Sequence, residues 1–130
     1  MPIDAVVAEK ISFTSKSAIK SVNHLSQSDI ILDIGPKTVQ QFSAIIRKSK
    51  LIVWNGPLGY FEIPQFKKAS RQIAGVIAKS KIESIIGGGE TIQLIRNFKF
   101  EIRNSYISTG GGAMLEFLAG KLLPGIKPVI

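Results

Sequence analysis

The sequence predicts an α/β fold: a three-layer, Rossmann-like arrangement of a parallel sheet with crossover helices. Short apolar runs alternate with stretches whose apolar residues recur every three or four positions. The runs are continuous rather than alternating, as in strands buried on both faces of a parallel sheet. Gly-rich turns fall where strand gives way to helix, the place where open α/β sheets bind ligands.

Each element has its own signal. Ala5-Val6-Val7-Ala8 is the first strand candidate. Residues 12–28 are polar and rich in Ser and Lys, and read as a loop with one short helix. Ile30-Ile31-Leu32 is the next strand. Gly35-Pro36 breaks it and starts a helix, because Pro fits the first helical turn. Val39, Phe42, Ile45 and Ile46 give that helix one apolar face. Leu51-Ile52-Val53-Trp54 reads as a strand buried on both sides. A helix over 64–79 follows, with Phe66, Ala69, Ile73, Val76 and Ile77 on one side. Then come strand Ser84-Ile85-Ile86, a short helix with Ile92, Leu94 and Ile95, and a strand near Tyr106-Ile107. The last helix carries Met114, Leu115 and Leu118, and Gly120 suits its end. No linker or internal repeat divides the chain, which reads as one domain.

Composition removes several function classes. The chain has no cysteine, which excludes disulfides, thiolate metal sites and a Cys nucleophile. The start lacks the basic and apolar pattern of a signal peptide, and no apolar run reaches the length of a membrane span. The expectation is a soluble protein, compatible with the cytosol. The net charge of +8 fits an anionic partner. A solvated basic surface is the favoured account, since the lysines are dispersed and not interleaved with aromatics. A nucleic-acid face needs clustering with stacking residues, so none is expected. His24, the single histidine, lies in the polar segment and reads as a surface residue. No transition-metal spacing and no Ser-His-Asp arrangement is present.

Three loops can carry chemistry. Gly87-Gly88-Gly89-Glu90-Thr91 and Ser108-Thr109-Gly110-Gly111-Gly112-Ala113 occupy equivalent strand-to-helix positions. Without Cβ atoms such a chain can bring its N–H groups close to a phosphate, and the helix that follows adds its positive end. One such triplet alone reads as a tight turn; two in equivalent places point to phosphate. Neither is a Walker A or a Gly-x-Gly-x-x-Gly motif, so P-loop NTPases and Rossmann dehydrogenases fit poorly. The third loop, Asn55-Gly56-Pro57-Leu58-Gly59-Tyr60-Phe61-Glu62, follows a buried strand. Glu62 can accept hydrogen bonds from ribose hydroxyls or complement the start of the next helix.

These stretches resemble phosphoglycerate kinases. The runs from Asp33 to Thr38, Ile52 to Glu62, Ile86 to Thr91, Ser108 to Ala113 and Glu116 to Gly125 match that family in order and spacing. The opening Pro2 to Lys10 is similar to the start of the matching segment. The resemblance implies part of the family's carboxyl-terminal, nucleotide-binding domain over 1–130, without the amino-terminal domain. It implies a monomeric cytoplasmic kinase of glycolysis that moves a phosphoryl group between 1,3-bisphosphoglycerate and ADP, forming 3-phosphoglycerate and ATP with Mg²⁺. The acceptor site would belong to the amino-terminal domain, supplied by a complementing chain if one exists. Neither nucleic acid nor membrane would be a partner.

Residue by residue, the resemblance places Asn55, Gly56 and Pro57 beside the nucleotide, and Leu32 and Tyr60 along the adenine pocket. Glu62 would hold the ribose, Gly88, Gly89 and Thr91 the phosphates, and Glu90 the metal. Gly110, Gly111 and Gly112 would present a helix start to the transferring group, with Gly89, Gly111 and Gly112 as the catalytic positions. The sequence departs from the family at three places. Asp is usual where Glu90 stands, Gly where Ile31 stands, and a smaller aliphatic where Tyr60 stands.

Overall fold

The computed structural model describes residues 1–126. Six strands and four helices run in the order β1 (Asp4–Ala8), β2 (Ala18–Ser21), β3 (Ile30–Ile34), α1 (Pro36–Lys48), β4 (Leu51–Asn55), α2 (Lys68–Lys79), β5 (Glu83–Gly87), α3 (Gly89–Asn97), β6 (Ser105–Ser108) and α4 (Gly111–Leu118). Short 3-10 turns occupy Val22–His24 and Pro64–Phe66.

The expected parallel sheet is β4-β5-β6, paired in register from Leu51 opposite Glu83 to Gly87 opposite Ser108. The first part of the chain departs from expectation. β1, β2 and β3 form a separate antiparallel sheet in the order β2-β1-β3. The polar segment therefore holds a strand as well as a short helical turn. β2 is largely exposed and ion-paired at Lys20 to Asp29, 2.8 Å away, which is why its residues carry no buried-strand signature.

The main core joins Val39 of α1, Ala69, Ile73 and Ile77 of α2, Trp54 and Ile86 of the parallel sheet, and Leu94 and Ile95 of α3. Burying each large aliphatic side chain there stabilises the fold by roughly 1.5–3 kcal/mol. Two expectations fail at its margins. β4 is an edge strand, and Leu51 and Val53 are about half exposed, so it is not covered on both faces. Ile45 lies off the buried face of α1, which is formed by Thr38, Val39 and Ser43. In α4 only Met114 is buried.

A smaller core of Ala8, Leu32, Ile63 and Phe66 ties the antiparallel sheet to the loop after β4. The β1–β3 register slips between Val6 and Val7, leaving Leu32 as the extra residue of a bulge. Its carbonyl accepts the Tyr60 N–H at 2.8 Å.

Candidate functional site

The carboxyl ends of β4, β5 and β6 meet at one place, where the three suspected loops converge. Strand β4 ends on Asn55, β5 on Gly87 and β6 on Ser108, all in lateral register. The Gly88 N–H donates to the Ser108 carbonyl at 3.3 Å, joining the two Gly-rich turns. Gly88 has φ +87°, a conformation that side-chain-bearing residues rarely adopt. A Cβ on it would lie 3.0 Å from Asn55 Oδ1. One on Gly111 would lie 3.5 Å from the Gly88 Cα. Asn55, Gly88 and Gly111 are thus mutual neighbours.

The loop after β4 is pinned along its length. Trp54 donates its indole N–H to the Gly56 carbonyl at 2.7 Å. The Gly56 N–H donates to Thr91 Oγ1 at 2.8 Å, and the Leu58 N–H to Ser70 Oγ at 2.9 Å. Thr91 and Ser70 are fully buried. The Thr91 hydroxyl therefore braces the loop from helix α3. This clamp was not readable in sequence order, because Gly56 and Thr91 are 35 residues apart.

A hollow of about 330 Å³ lies between this loop and β3, bounded by Ile31, Leu32, Pro57 and Tyr60 among others. Leu32 contributes its backbone there, while its side chain packs into the smaller core. Tyr60 and Ile31 are both substantially exposed at its edge. Glu62 is exposed one residue before Ile63 and bounds no wall of this hollow.

Four helix starts can be compared. Helices α3 and α4 begin on Gly88 and Gly110 with no side-chain cap. Among the described residues, the N–H groups of Gly89, Glu90, Gly111 and Gly112 have no protein acceptor. Glu90 and Gly112 are exposed beside them. By contrast, α1 and α2 are capped by carboxylates from distant strands. Asp4 accepts from the Lys37 and Thr38 N–H groups at 3.0 and 2.8 Å and from the Thr38 hydroxyl at 2.6 Å. Burial pushes the Asp4 carboxyl up, but the Thr38 and Lys37 hydrogen bonds outweigh it and hold the group below its ordinary value. Asp33 accepts from the Ala69 N–H at 3.1 Å and the Ile34 N–H at 2.9 Å. There burial wins, and the carboxyl is pushed up to about 6. A single acid inside the apolar run of β3 was the available sequence signal for Asp33.

A family model for phosphoglycerate kinase matches residues 1–121. The chain belongs to the phosphoglycerate kinase family. Curated phosphoglycerate kinases from Coxiella burnetii and Buchnera aphidicola are 41% and 45% identical to it over 127 residues. Each alignment covers 98% of this chain, but 32% and 33% of the respective relative. The solved phosphoglycerate kinase structure from Coxiella burnetii superposes with a TM-score of 0.89 at 41% identity. That from Pyrococcus horikoshii does so with 0.81 at 32% identity. These matches cover 98% of this chain and 33% and 31% of the two structures. The chain thus spans about a third of the length of the phosphoglycerate kinases it matches. Among the described residues, no helix is long and apolar enough to cross a membrane.

Proposed function

We propose that the chain binds ADP and ATP at the carboxyl ends of β4, β5 and β6, and serves phosphoryl transfer between 1,3-bisphosphoglycerate and ADP. The observation that carries this reading is the pair of uncapped glycine helix starts, held side by side by the Gly88–Ser108 hydrogen bond. Backbone N–H groups of Gly89, Gly111 and Gly112 point their donor capacity at an anion, with two helix dipoles behind them. In phosphoryl transfer, positioning and charge stabilisation carry most of the catalysis, and fixed N–H donors supply both. Asn55, Gly56 and Pro57 border the nucleotide, Leu32 and Tyr60 flank the base in the hollow beside β3, and Glu62 takes the ribose hydroxyls. Thr91 works by fixing Gly56 in place.

Among the described residues, no three His, Cys, Asp or Glu side chains gather as a metal cluster. The donor set is a lone exposed carboxylate, Glu90, beside the phosphate position. That set suits Mg²⁺, which takes one or two carboxylates and completes its shell with phosphate oxygens and water. When bound with the nucleotide, the ion neutralises phosphate charge.

The 1,3-bisphosphoglycerate and 3-phosphoglycerate site would come from the two thirds of the relatives' length that this chain does not match, on an amino-terminal domain or a complementing chain. The setting would be the cytoplasm, with neither nucleic acid nor membrane as partner. The 130-residue chain alone is expected to give no turnover in a coupled assay. Calorimetry with ADP and Mg²⁺ tests the binding reading. Glu62→Ala should weaken ADP by about 1.5–3 kcal/mol, the worth of a hydrogen bond to a charged acceptor, without changing base preference. A chain that melts cooperatively yet binds no ADP overturns the proposal.

A second reading, a nucleotide-binding chain without turnover, draws on Glu90. The longer carboxylate does not occupy the place of the Asp usual in the family, and a misplacement of about 1 Å can cost on the order of a hundredfold in rate. Glu90→Asp, in a chain completed with an amino-terminal portion, should then raise turnover or lower the Mg²⁺ requirement. Lower activity would show the loop to be tuned to Glu.

A further inference from the structure

A second cavity, remote in sequence from the Gly-rich loops, opens between α1, α2 and the segment after α3. It has a volume of about 750 Å³, within the range of small-molecule sites. Val39, Gly75, Val76 and Phe100 supply an apolar floor, and Arg47, Lys68, Arg71 and Lys79 bring cations to its edge. No carboxylate lines it. Among the described residues, none of the four cations forms an ion pair; the salt bridges run elsewhere, from Lys20 to Asp29 and from Arg103 to Glu101.

Two features shape the cavity, one in its floor and one at its rim. Gly75 sits in the middle of α2, where Gly costs about 0.8–1 kcal/mol relative to Ala. A Cβ there would lie 3.3 Å from the Phe100 ring, so the glycine lets the ring lie against the helix and shape the floor. Phe100 in turn meets Phe98 edge to face at 6.1 Å, and the Arg71 guanidinium stands 5.7 Å over the Phe98 ring. This stacking restrains a cation at the rim that would otherwise sample solvent. Lys68 and Lys79 stand at opposite ends of α2, eleven residues apart, hence roughly 16 Å along its axis. Arg47 joins Lys79 as a last-turn cation of the neighbouring helix. The C-terminal cations also complement the helix dipoles, but Lys68 stands at the positive end, where that explanation fails.

We propose that this groove binds an elongated organic anion: an apolar or aromatic body on the Val39–Gly75–Phe100 floor, with acidic groups toward Lys68 and Arg71 at one end and Arg47 and Lys79 at the other. Charge complementarity selects this occupant over a second copy of the chain, which carries the same net +8.

The probe is bis-ANS, an aromatic body with two sulfonates, titrated by fluorescence into the full chain with saturating ADP present to occupy any nucleotide site. Gln72 lines the groove and is exposed, so Gln72→Glu adds an acid among the cations without touching the core. It should weaken the probe roughly five- to tenfold while leaving the thermal melt unchanged or raised. Arg47→Gln with Lys79→Gln should weaken it by a similar factor, and raising salt from about 0.02 to 0.5 M should flatten the difference. Backbone amide shifts on binding should concentrate at Ser43, Gly75 and Phe100. Equal affinity in all variants, shifts centred on α4 and β6, or dimer formation on probe addition would each overturn the proposal.

Discussion

Helices α1 and α2 meet the same electrostatic demand as α3 and α4, and meet it differently. Every helix start leaves N–H groups without intrahelical partners. In the first pair, both starts lie under the antiparallel sheet, and the chain sends a carboxylate from that sheet into each: Asp4 to Lys37 and Thr38, Asp33 to Ala69. In the second pair, both starts lie at the open ends of β5 and β6 on glycines, and no side chain caps them. Where the fold covers a helix start, an internal anion satisfies it. Where it leaves the start uncovered at the glycine turns after β5 and β6, the donors stay available to an external anion. Local sequence does not separate the two cases, since α1 also begins after a Gly with no cap of its own.

Removing an internal anion should have the largest effect. Asp4→Ala leaves the buried Thr38 N–H and the part-buried Lys37 N–H without their acceptor, while the Thr38 hydroxyl keeps the main-chain carbonyl of residue 4 at 3.0 Å, at a cost of about 3 kcal/mol. Urea unfolding should show a lower midpoint at unchanged slope. Because the folded Asp4 value is depressed, its contribution is present above the unfolded value of 3.8 and is lost as pH falls through the folded one. A loss under 1 kcal/mol would mean that water replaces the carboxylate, and the buried half would no longer differ from the open one.

Asp33 should give the opposite pH slope. Its folded value is raised to about 6, above the unfolded 3.8, so the folded state holds the proton more tightly. Its contribution is fully present below pH 4 and declines as pH rises to 6, by on the order of 2–3 kcal/mol. Asp33→Asn cannot ionise, and the difference between variant and parent should change by that amount across the same window. A flat difference would mean that the carboxylate is charged throughout and that Ala69 and Ile34 satisfy it.

What was legible follows from the reach of each signal. The parallel half was readable because β4 is a continuous apolar run, β5 and β6 each hold a short one, and its glycines fall at fixed places beside them. The antiparallel sheet was not. β2 has no apolar face to announce it, and its pairing with β1 is long-range. The Leu32 bulge, which turns a carbonyl toward Tyr60, is a one-residue slip in register that composition does not encode. Asp33, an acid directly after the apolar run Ile30–Leu32, was not singled out in the sequence, and the N–H it accepts from is 36 residues away. Asn55 and the glycine turns that meet at the strand ends were legible in the sequence, whereas the clamps that hold the loop after β4 (Trp54 to Gly56, Gly56 to Thr91, Leu58 to Ser70) exist only after folding.

On the open side, Gly88→Ala should cost about 1–2 kcal/mol, because a Cβ at φ +87° is strained. It would also stand 3.0 Å from Asn55 Oδ1, inside the proposed nucleotide site. ADP affinity by calorimetry should fall about tenfold. Gly89→Ala, with no atom within 4 Å of the added Cβ, should leave stability within about 0.5 kcal/mol of the parent.

A small expected gain in stability tests the comparison most directly, by giving the open half an internal anion of its own. Gly110 is the N-cap of α4 with φ −76°, so a side chain is tolerated, and its Cβ would meet nothing closer than Ser108 Oγ at 3.5 Å. Gly110→Asp places a carboxylate beside the free N–H groups of α4. Capping improves on Gly by a few tenths of a kcal/mol, and the dipole adds a similar amount. The melt should therefore rise slightly, by about 0.5 kcal/mol in free energy. The same carboxylate would occupy the donors proposed to receive phosphate and repel it, so ADP should weaken by roughly fivefold or more. Gly110→Asn separates the two contributions, because it caps without charge and should keep most of the stability with a smaller loss of affinity. If Gly110→Asp stabilises the chain and leaves ADP binding untouched, the α4 start is not where phosphate docks. The two halves would then differ only in burial. If stability and affinity move in opposite directions, the uncapped glycine start is kept at the expense of folding, for the sake of an anion that the chain itself does not carry.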